Sequence, residues 1–305
     1  MPKHIFWTLI LFWSVYAWSR EPISPLPLKI EYDKEKAALG KKLFSDPALS
    51  KDGSVSCATC HNLQAGGADH VRFAIGIEGK KGEFNTPTVY NSRYNFRQFW
   101  DGRAKDLKEQ AVSPIVNPVE MGNSIEALLK TLETSEYKAY FEQIYGDGIR
   151  IENVVDALSE FEKALVTVNA PFDRYLRGDE NAISEEAKRG YALFKSKGCV
   201  SCHHGISVGG NHFNKFGIME KIEQSHPGRF NVTLNESDKF YFKVPSLRNV
   251  ALTAPYFHDG RSETLYEAVK LMSFKQLGRH MEDEELRAIV AFLKTLTGEI
   301  PDIAQ

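Results

Sequence analysis

The chain of 305 residues carries 38 basic and 40 acidic side chains, and a net charge of -2 at neutral pH leaves no basic footprint for nucleic acid. Its 42% hydrophobic content is ordinary for a soluble globular protein. A chain this long is expected to form two domains and to bury its core without a disulfide framework.

Residues 1–20 read as an export signal: Lys3 and His4 precede an apolar run from Ile5 to Tyr16, with small residues following at Ala17 and Ser19. The run of about 12 residues is short for a bilayer span, which favours a cleaved signal over an uncleaved anchor. Pro22, Pro25 and Pro27 then make an extended leader.

Cys57-Ala58-Thr59-Cys60-His61 and Cys199-Val200-Ser201-Cys202-His203 use all four cysteines of the chain. C-x-x-C-H is the attachment signature of c-type haem, in which two thiols add across the vinyl groups and the adjacent histidine becomes an axial iron ligand. The alternatives are structural zinc and paired disulfides. Two copies on an exported chain, with no cysteine left over, favour two covalent haems.

The halves repeat each other around these motifs. Glu35 to Phe44 and Glu185 to Phe194 are helical stretches with Gly, Leu and Phe in register, the second N-capped by Ser184. Downstream, Thr86-Pro87-Thr88-Val89-Tyr90-Asn91 leads to Phe99-Trp100-Asp101-Gly102-Arg103, and Val244-Pro245-Ser246-Leu247-Arg248-Asn249 leads to Phe257-His258-Asp259-Gly260-Arg261; proline and aspartate are 14 residues apart in both. Each half closes on an amphipathic helix, with Val154, Leu158 and Phe161 in one stripe and Leu286, Ile289 and Leu293 in the other. The fold class expected is all-α: two cytochrome c-like domains with long loops, each around one covalent haem. The boundary falls between Thr167 and Ser184, giving a signal at 1–20, an N-terminal domain at 21–170 and a C-terminal domain at 171–305.

The halves differ where function would show. Met272 lies between the Asp259-Gly260-Arg261 turn and the last helix, where a cytochrome c places its second axial ligand, and the repeat puts Pro114, which cannot bind iron, in the same place of the first half. A closed second haem and an open first haem are expected. Met219 and Met281 compete with Met272, and Met121 is a weaker candidate ligand for the first haem.

The stretch Phe84 to Gly122, with Gln98-Phe99-Trp100-Asp101-Gly102-Arg103-Ala104 and Glu120-Met121-Gly122, closely resembles bacterial di-haem cytochrome c peroxidases, as does Lys243 to Asn249 continuing through Thr253-Ala254-Pro255-Tyr256-Phe257-His258. The resemblance covers nearly the whole mature chain. It implies a periplasmic enzyme that reduces hydrogen peroxide to water. His61 would be the proximal ligand of the peroxidatic haem, and His203 and Met272 would ligate a high-potential haem fed by a small cytochrome c or a copper protein. Trp100 matches an inter-haem tryptophan, and Glu120 and Gln110 match polar residues over the open face, where a carboxylate can move a proton between peroxide oxygens. Asn85, Thr253 and Pro255 match a calcium site built from one side-chain oxygen and two backbone carbonyls. Members of the family are commonly homodimers.

One position departs from the family. Many members carry a histidine on the loop after the first motif that blocks the open iron site until the second haem is reduced; here that residue is Ile77. His70 is the nearby substitute, and without it the first haem is expected to be five-coordinate or water-ligated when fully oxidised. Two other functions fit a di-haem chain: an enzyme oxidising residues of a partner protein, whose family branch replaces the methionine by tyrosine, and an electron carrier with both irons permanently capped.

Overall fold

The computed structural model describes residues 21–305, and the export signal expected over 1–20 lies outside them. Among the described residues no helix is long and apolar enough to cross a membrane. The first half contains α1 (Lys34–Ser45), the single turn α2 (Cys57–Cys60), α3 (Leu107–Val116), α4 (Ile125–Glu133), α5 (Tyr137–Tyr145) and α6 (Ile151–Ala164). The second contains α7 (Pro171–Leu176), α8 (Glu185–Ser196), α9 (Phe230–Thr233), α10 (Leu265–Leu271) and α11 (Asp283–Lys294). An antiparallel pair, β1 (Phe213–Lys215) and β2 (Tyr241–Lys243), aligns Phe213 with Lys243.

Each half is organised by one helix crossing. Asp33 caps α1 by accepting the backbone N–H groups of Glu35 and Lys36, both at 3.1 Å, and the predicted cap Ser184 accepts the N–H of Ala187 at 3.2 Å. α1 then crosses α6, and α8 crosses α11, with a glycine at each contact. A Cβ on Gly40 would lie 2.0 Å from the carbonyl oxygen of Ala157, and one on Gly190 would lie 1.8 Å from that of Ala288. The glycines seen in register in the sequence are therefore the points of backbone approach. Beside them Phe44 packs edge-on to Phe161 with centroids 5.2 Å apart, and Phe194 packs on Phe292 at 5.1 Å.

The duplication extends to backbone conformation. Asn91 and Asn249 have φ of 62° and 59°, and Phe99 and Phe257 have φ of 67° and 73°, a region that bulky side chains rarely occupy. At the junction Thr167 Oγ1 accepts the side-chain amides of Asn91 and Asn249, each at 2.9 Å, so two repeat-related residues converge on one hydroxyl.

Two apolar clusters result, one around Leu43, Phe44, Leu158 and Phe161, the other around Tyr191, Phe194, Ile289 and Phe292. The ends of the described chain cross over between them. Ile23, in the proline-rich leader, is buried in the second cluster, and Ala304 is buried in the first. Pro22 O accepts the N–H of Gly205 at 2.7 Å, and Ala304 O accepts the Gln64 amide at 2.9 Å. Arg248, fully buried on a bidentate pair with Asp173, also donates to Ser24 O at 3.0 Å.

Candidate haem sites

Both C-x-x-C-H motifs follow the glycine-bearing helix of their half, α1 in the first and α8 in the second. α2 places Cys57 and Cys60 on one turn, held at its start by the N–H of Ser56 donating to Thr59 Oγ1 at 3.0 Å. His61 Nδ1 faces Gly67 O at 3.1 Å, and His203 Nδ1 faces Val208 O at 3.3 Å. Donating Nδ1–H to a carbonyl leaves the Nε2 lone pair for iron and fixes the ring plane. The rings also pack alike, His61 at 6.3 Å from Phe44 and His203 at 6.4 Å from Phe194. Burial lowers the basicity of His61 and pushes His203 down to about 4, which favours the neutral imidazole that ligation requires.

None of the four cysteines is paired in a disulfide, so the structure lends no support to the disulfide alternative. Burial in apolar surroundings pushes Cys57 up to about 12 and Cys60 and Cys199 to about 11. Among the described residues no group of three or more His, Cys, Asp and Glu could hold a metal ion, so the zinc alternative has no ligand set there.

The second motif opens into a largely apolar cavity of about 230 Å³ walled by Cys199, Cys202, His203, Met272, Leu293 and Phe194. Two thiols, a neutral imidazole and a thioether in one apolar wall fit a c-type haem. Met272 begins a π-helical turn, Met272–Gln276, that continues α10; such turns recur at functional sites. Met281 also reaches this wall, whereas Met219 is 60% exposed. In the first half Pro114 lies inside α3, and Met121 is buried in the first apolar cluster.

On the first side, α3 carries Gln110, whose Oε1 is buried without a hydrogen-bond partner. Glu120 follows α3, its Oε1 accepting Asn117 Nδ2 at 2.7 Å. Burial raises the Glu120 carboxyl above the usual range, while the Arg103 charge and the Asn117 bond oppose that. Ile77 is buried, and its loop is closed onto the Glu120 loop: a Cβ on Gly76 would lie 1.9 Å from Val119 O, and one on Gly122 would lie 2.3 Å from Ile77 Cδ1. Both ring nitrogens of His70 are engaged, with Ala65 O at 2.7 Å and Ala254 O at 3.1 Å.

Between the halves, Trp100 Nε1 donates to Asn85 O at 2.9 Å, and Asn85 Nδ2 donates to Val71 O at 2.9 Å. Trp100, Asn85, Thr253 and Pro255 all face the cavity that contains His203 and Met272. Three groups here were not singled out from sequence. His258, at 6.3 Å from the Trp100 ring, is its repeat partner, and buried Lys243 is the repeat partner of Asn85. Buried Glu162 stands on α6 where Leu293 stands on α11, five residues beyond the alanine that meets the glycine. The repeat alignment, carried residue by residue, marks all three as positions where the halves differ, but not that they are buried.

Residues 34–181 match the family model described as di-haem cytochrome c peroxidase, and residues 187–297 match the cytochrome c model. The chain is 47% identical over 288 residues to a cytochrome c551 peroxidase of Nitrosomonas europaea, spanning 93% of this chain and 86% of that one. It is also 47% identical over 285 residues to the cytochrome c peroxidase Ccp of Escherichia coli, spanning 91% of this chain and 61% of that one. Among solved structures, a MauG-like protein associated with microbial copper homeostasis superposes with a TM-score of 0.80 at 25% identity, over 96% of this chain and 97% of that one.

Proposed function

The chain belongs to the bacterial di-haem cytochrome c peroxidase family, and from that premise we propose how its residues divide the work of reducing hydrogen peroxide. The protein is an oxidoreductase of helical two-domain architecture that carries two covalent c-type haems and reduces peroxide through a relay between them. In our reading Cys57, Cys60 and His61 hold the first haem, where peroxide docks. Cys199 and Cys202 would hold the second, with His203 and Met272 as the residues that would ligate its iron, where electrons would enter. The observation that carries this assignment is the occupant of one repeat position: a thioether at Met272, and a proline inside a helix at Pro114.

With haem bound, the iron supplies the redox centre at which the O–O bond is broken. The chain supplies the proton handling. Glu120 takes a proton from the inner peroxide oxygen and returns it to the outer one, so that water leaves instead of hydroxide. Its raised carboxyl suits a group that must hold a proton, while Arg103 and Asn117 keep the ionised form accessible. Gln110, with an unpartnered side-chain carbonyl, orients the peroxide by hydrogen bonding. Two electrons and two protons complete the conversion of one peroxide to two waters. Trp100, bonded to Asn85 at the junction, lies on the route between the haems.

A calcium ion at the junction is part of the same reading, held by the Asn85 side-chain oxygen, the carbonyls of Thr253 and Pro255 and water; an all-oxygen set suits a hard cation. Residues 21–170 and 171–305 are the two haem units. Residues 1–20 direct export to the periplasm, where a small cytochrome c or a copper protein is the donor, and the name of the N. europaea relative favours a cytochrome. A homodimer is the expected assembly. The test is direct: peroxide is added to the holoprotein with reduced cytochrome c, and two cytochromes are oxidised per peroxide. No oxidation with any small cytochrome or copper donor would remove the donor assignment, and permanently six-coordinate iron at both sites would remove the peroxidatic one.

A further inference from the structure

The second haem cavity has an apolar wall, yet two polar groups in it lack protein partners. Lys243 is 7% exposed, and among the described residues it makes no ion pair and no side-chain hydrogen bond. Its backbone is fixed on both sides, by pairing with β1 and by donation of its N–H to Trp100 O at 2.7 Å. Burial alone pushes the ammonium down to about 8, with no acid opposing the shift. A buried cation without a counter-charge is costly to keep. His258 is 2% exposed, stacks on Phe242 with centroids 4.0 Å and planes 18° apart, and leaves Nε2 buried without a partner.

The first half has no such pair. The repeat partners Asn85 and Trp100 are uncharged and bonded to one another. A cation and an N–H donor thus stand together in the wall of the second compartment, and a c-type haem brings two carboxylates on its propionate arms.

We infer that Lys243 and His258 form the anionic subsite of the second haem compartment, Lys243 pairing with, and His258 Nε2–H donating to, the propionates of the haem attached at Cys199 and Cys202. This rests on the reading that those cysteines hold a haem, which a haem count per chain tests separately. Lys243 supplies positive charge beside a centre that gains an electron, so it favours the reduced state and raises the potential of the electron-receiving haem. His258 is a positioning residue that holds one arm near the junction.

The test uses the holoprotein and reads potential and propionate vibrations. Spectroelectrochemical titration of Lys243→Met is expected to lower the midpoint of the second haem by about 59 mV, a tenfold change in its one-electron equilibrium, and to leave the first haem unmoved. Lys243→Arg restores the midpoint, and His258→Phe shifts the propionate-bending band in resonance Raman spectra. Loss of the second haem in Lys243→Met but not in Lys243→Arg also supports the pairing. An unmoved second haem, a shift in the first haem instead, or an arginine variant no better than methionine overturns it; an unshifted propionate band removes His258. Wild-type protein with fewer than two haems would instead overturn the haem assignment itself.

Discussion

The backbone N–H of Ile77 donates to the carbonyl of Glu120 at 2.9 Å. The loop that could carry a blocking ligand is therefore fastened to the loop that carries the acid, and the side chain at the blocking position is a buried isoleucine packed on Gly122. The His70 ring nitrogens lie 2.7 Å from Ala65 O and 3.1 Å from Ala254 O, so a substitute role would require it to leave those contacts.

From this arrangement the fully oxidised protein is expected to turn over peroxide without prior reduction. Its electron paramagnetic resonance spectrum should contain a high-spin ferric signal from the first haem, and the first turnover should be as fast as from half-reduced protein. A spectrum that is entirely low-spin, with a lag removed by a reductant, would sink the idea.

Glu120→Gln keeps the shape and the Asn117 contact but cannot exchange a proton. Both haem spectra should be retained while peroxide turnover falls by about 10²–10⁴-fold, the usual range for a lost acid–base group. Steady-state oxidation of reduced cytochrome c measures this, and unchanged turnover removes the role.

Glu162 predicts a pH dependence of stability. Burial raises its folded-state carboxyl from 4.5 to about 8. Between those values the unfolded chain has released the proton that the folded protein keeps, so stability falls as pH rises through that window and levels off above it. The full decline amounts to roughly 5 kcal/mol. Glu162→Leu, which copies Leu293, should abolish it; denaturant midpoints at pH 5 and pH 8 decide, and an identical decline in the variant refutes the assignment.

Gly190→Ala sets two effects against each other. Alanine gains about 1 kcal/mol in helix propensity, but its Cβ would sit 1.8 Å from Ala288 O, an overlap that forces α8 and α11 apart. Overpacking of this kind costs about 1–3 kcal/mol. A net loss of stability in denaturant unfolding is expected, with Gly40→Ala behaving alike at α1 and α6; a gain in either would refute close backbone approach at that crossing.

Much of this was legible in the sequence because it is local or repeated. Cys57 to His61 must lie on one turn, and Gly40 and Gly190 announced the crossings by falling in register. Ser184 capped its helix as its position suggested. Met272 needed the fold: exposure removes Met219, but Met281 shares the wall. Lys243, His258 and Glu162 read as ordinary polar residues because their meaning comes from what surrounds them. Burial without a partner is a tertiary property, and no spacing rule encodes it. Ile23 was hidden for a related reason, since prolines predict an extended chain without saying which half it lies against.

The exchanged ends carry a practical consequence. Severing the chain near Ala170 would deprive each fragment of an apolar side chain donated by the other: Ile23 would leave with the wrong piece, and so would Ala304. Arg248 and Asp173 would stay together on the later fragment but lose the Ser24 carbonyl that completes their cage. Single-haem fragments made by genetic dissection should thus be less robust than the intact molecule, and affinity handles are better tolerated on an exposed loop, such as that around Leu234, than beside either strap.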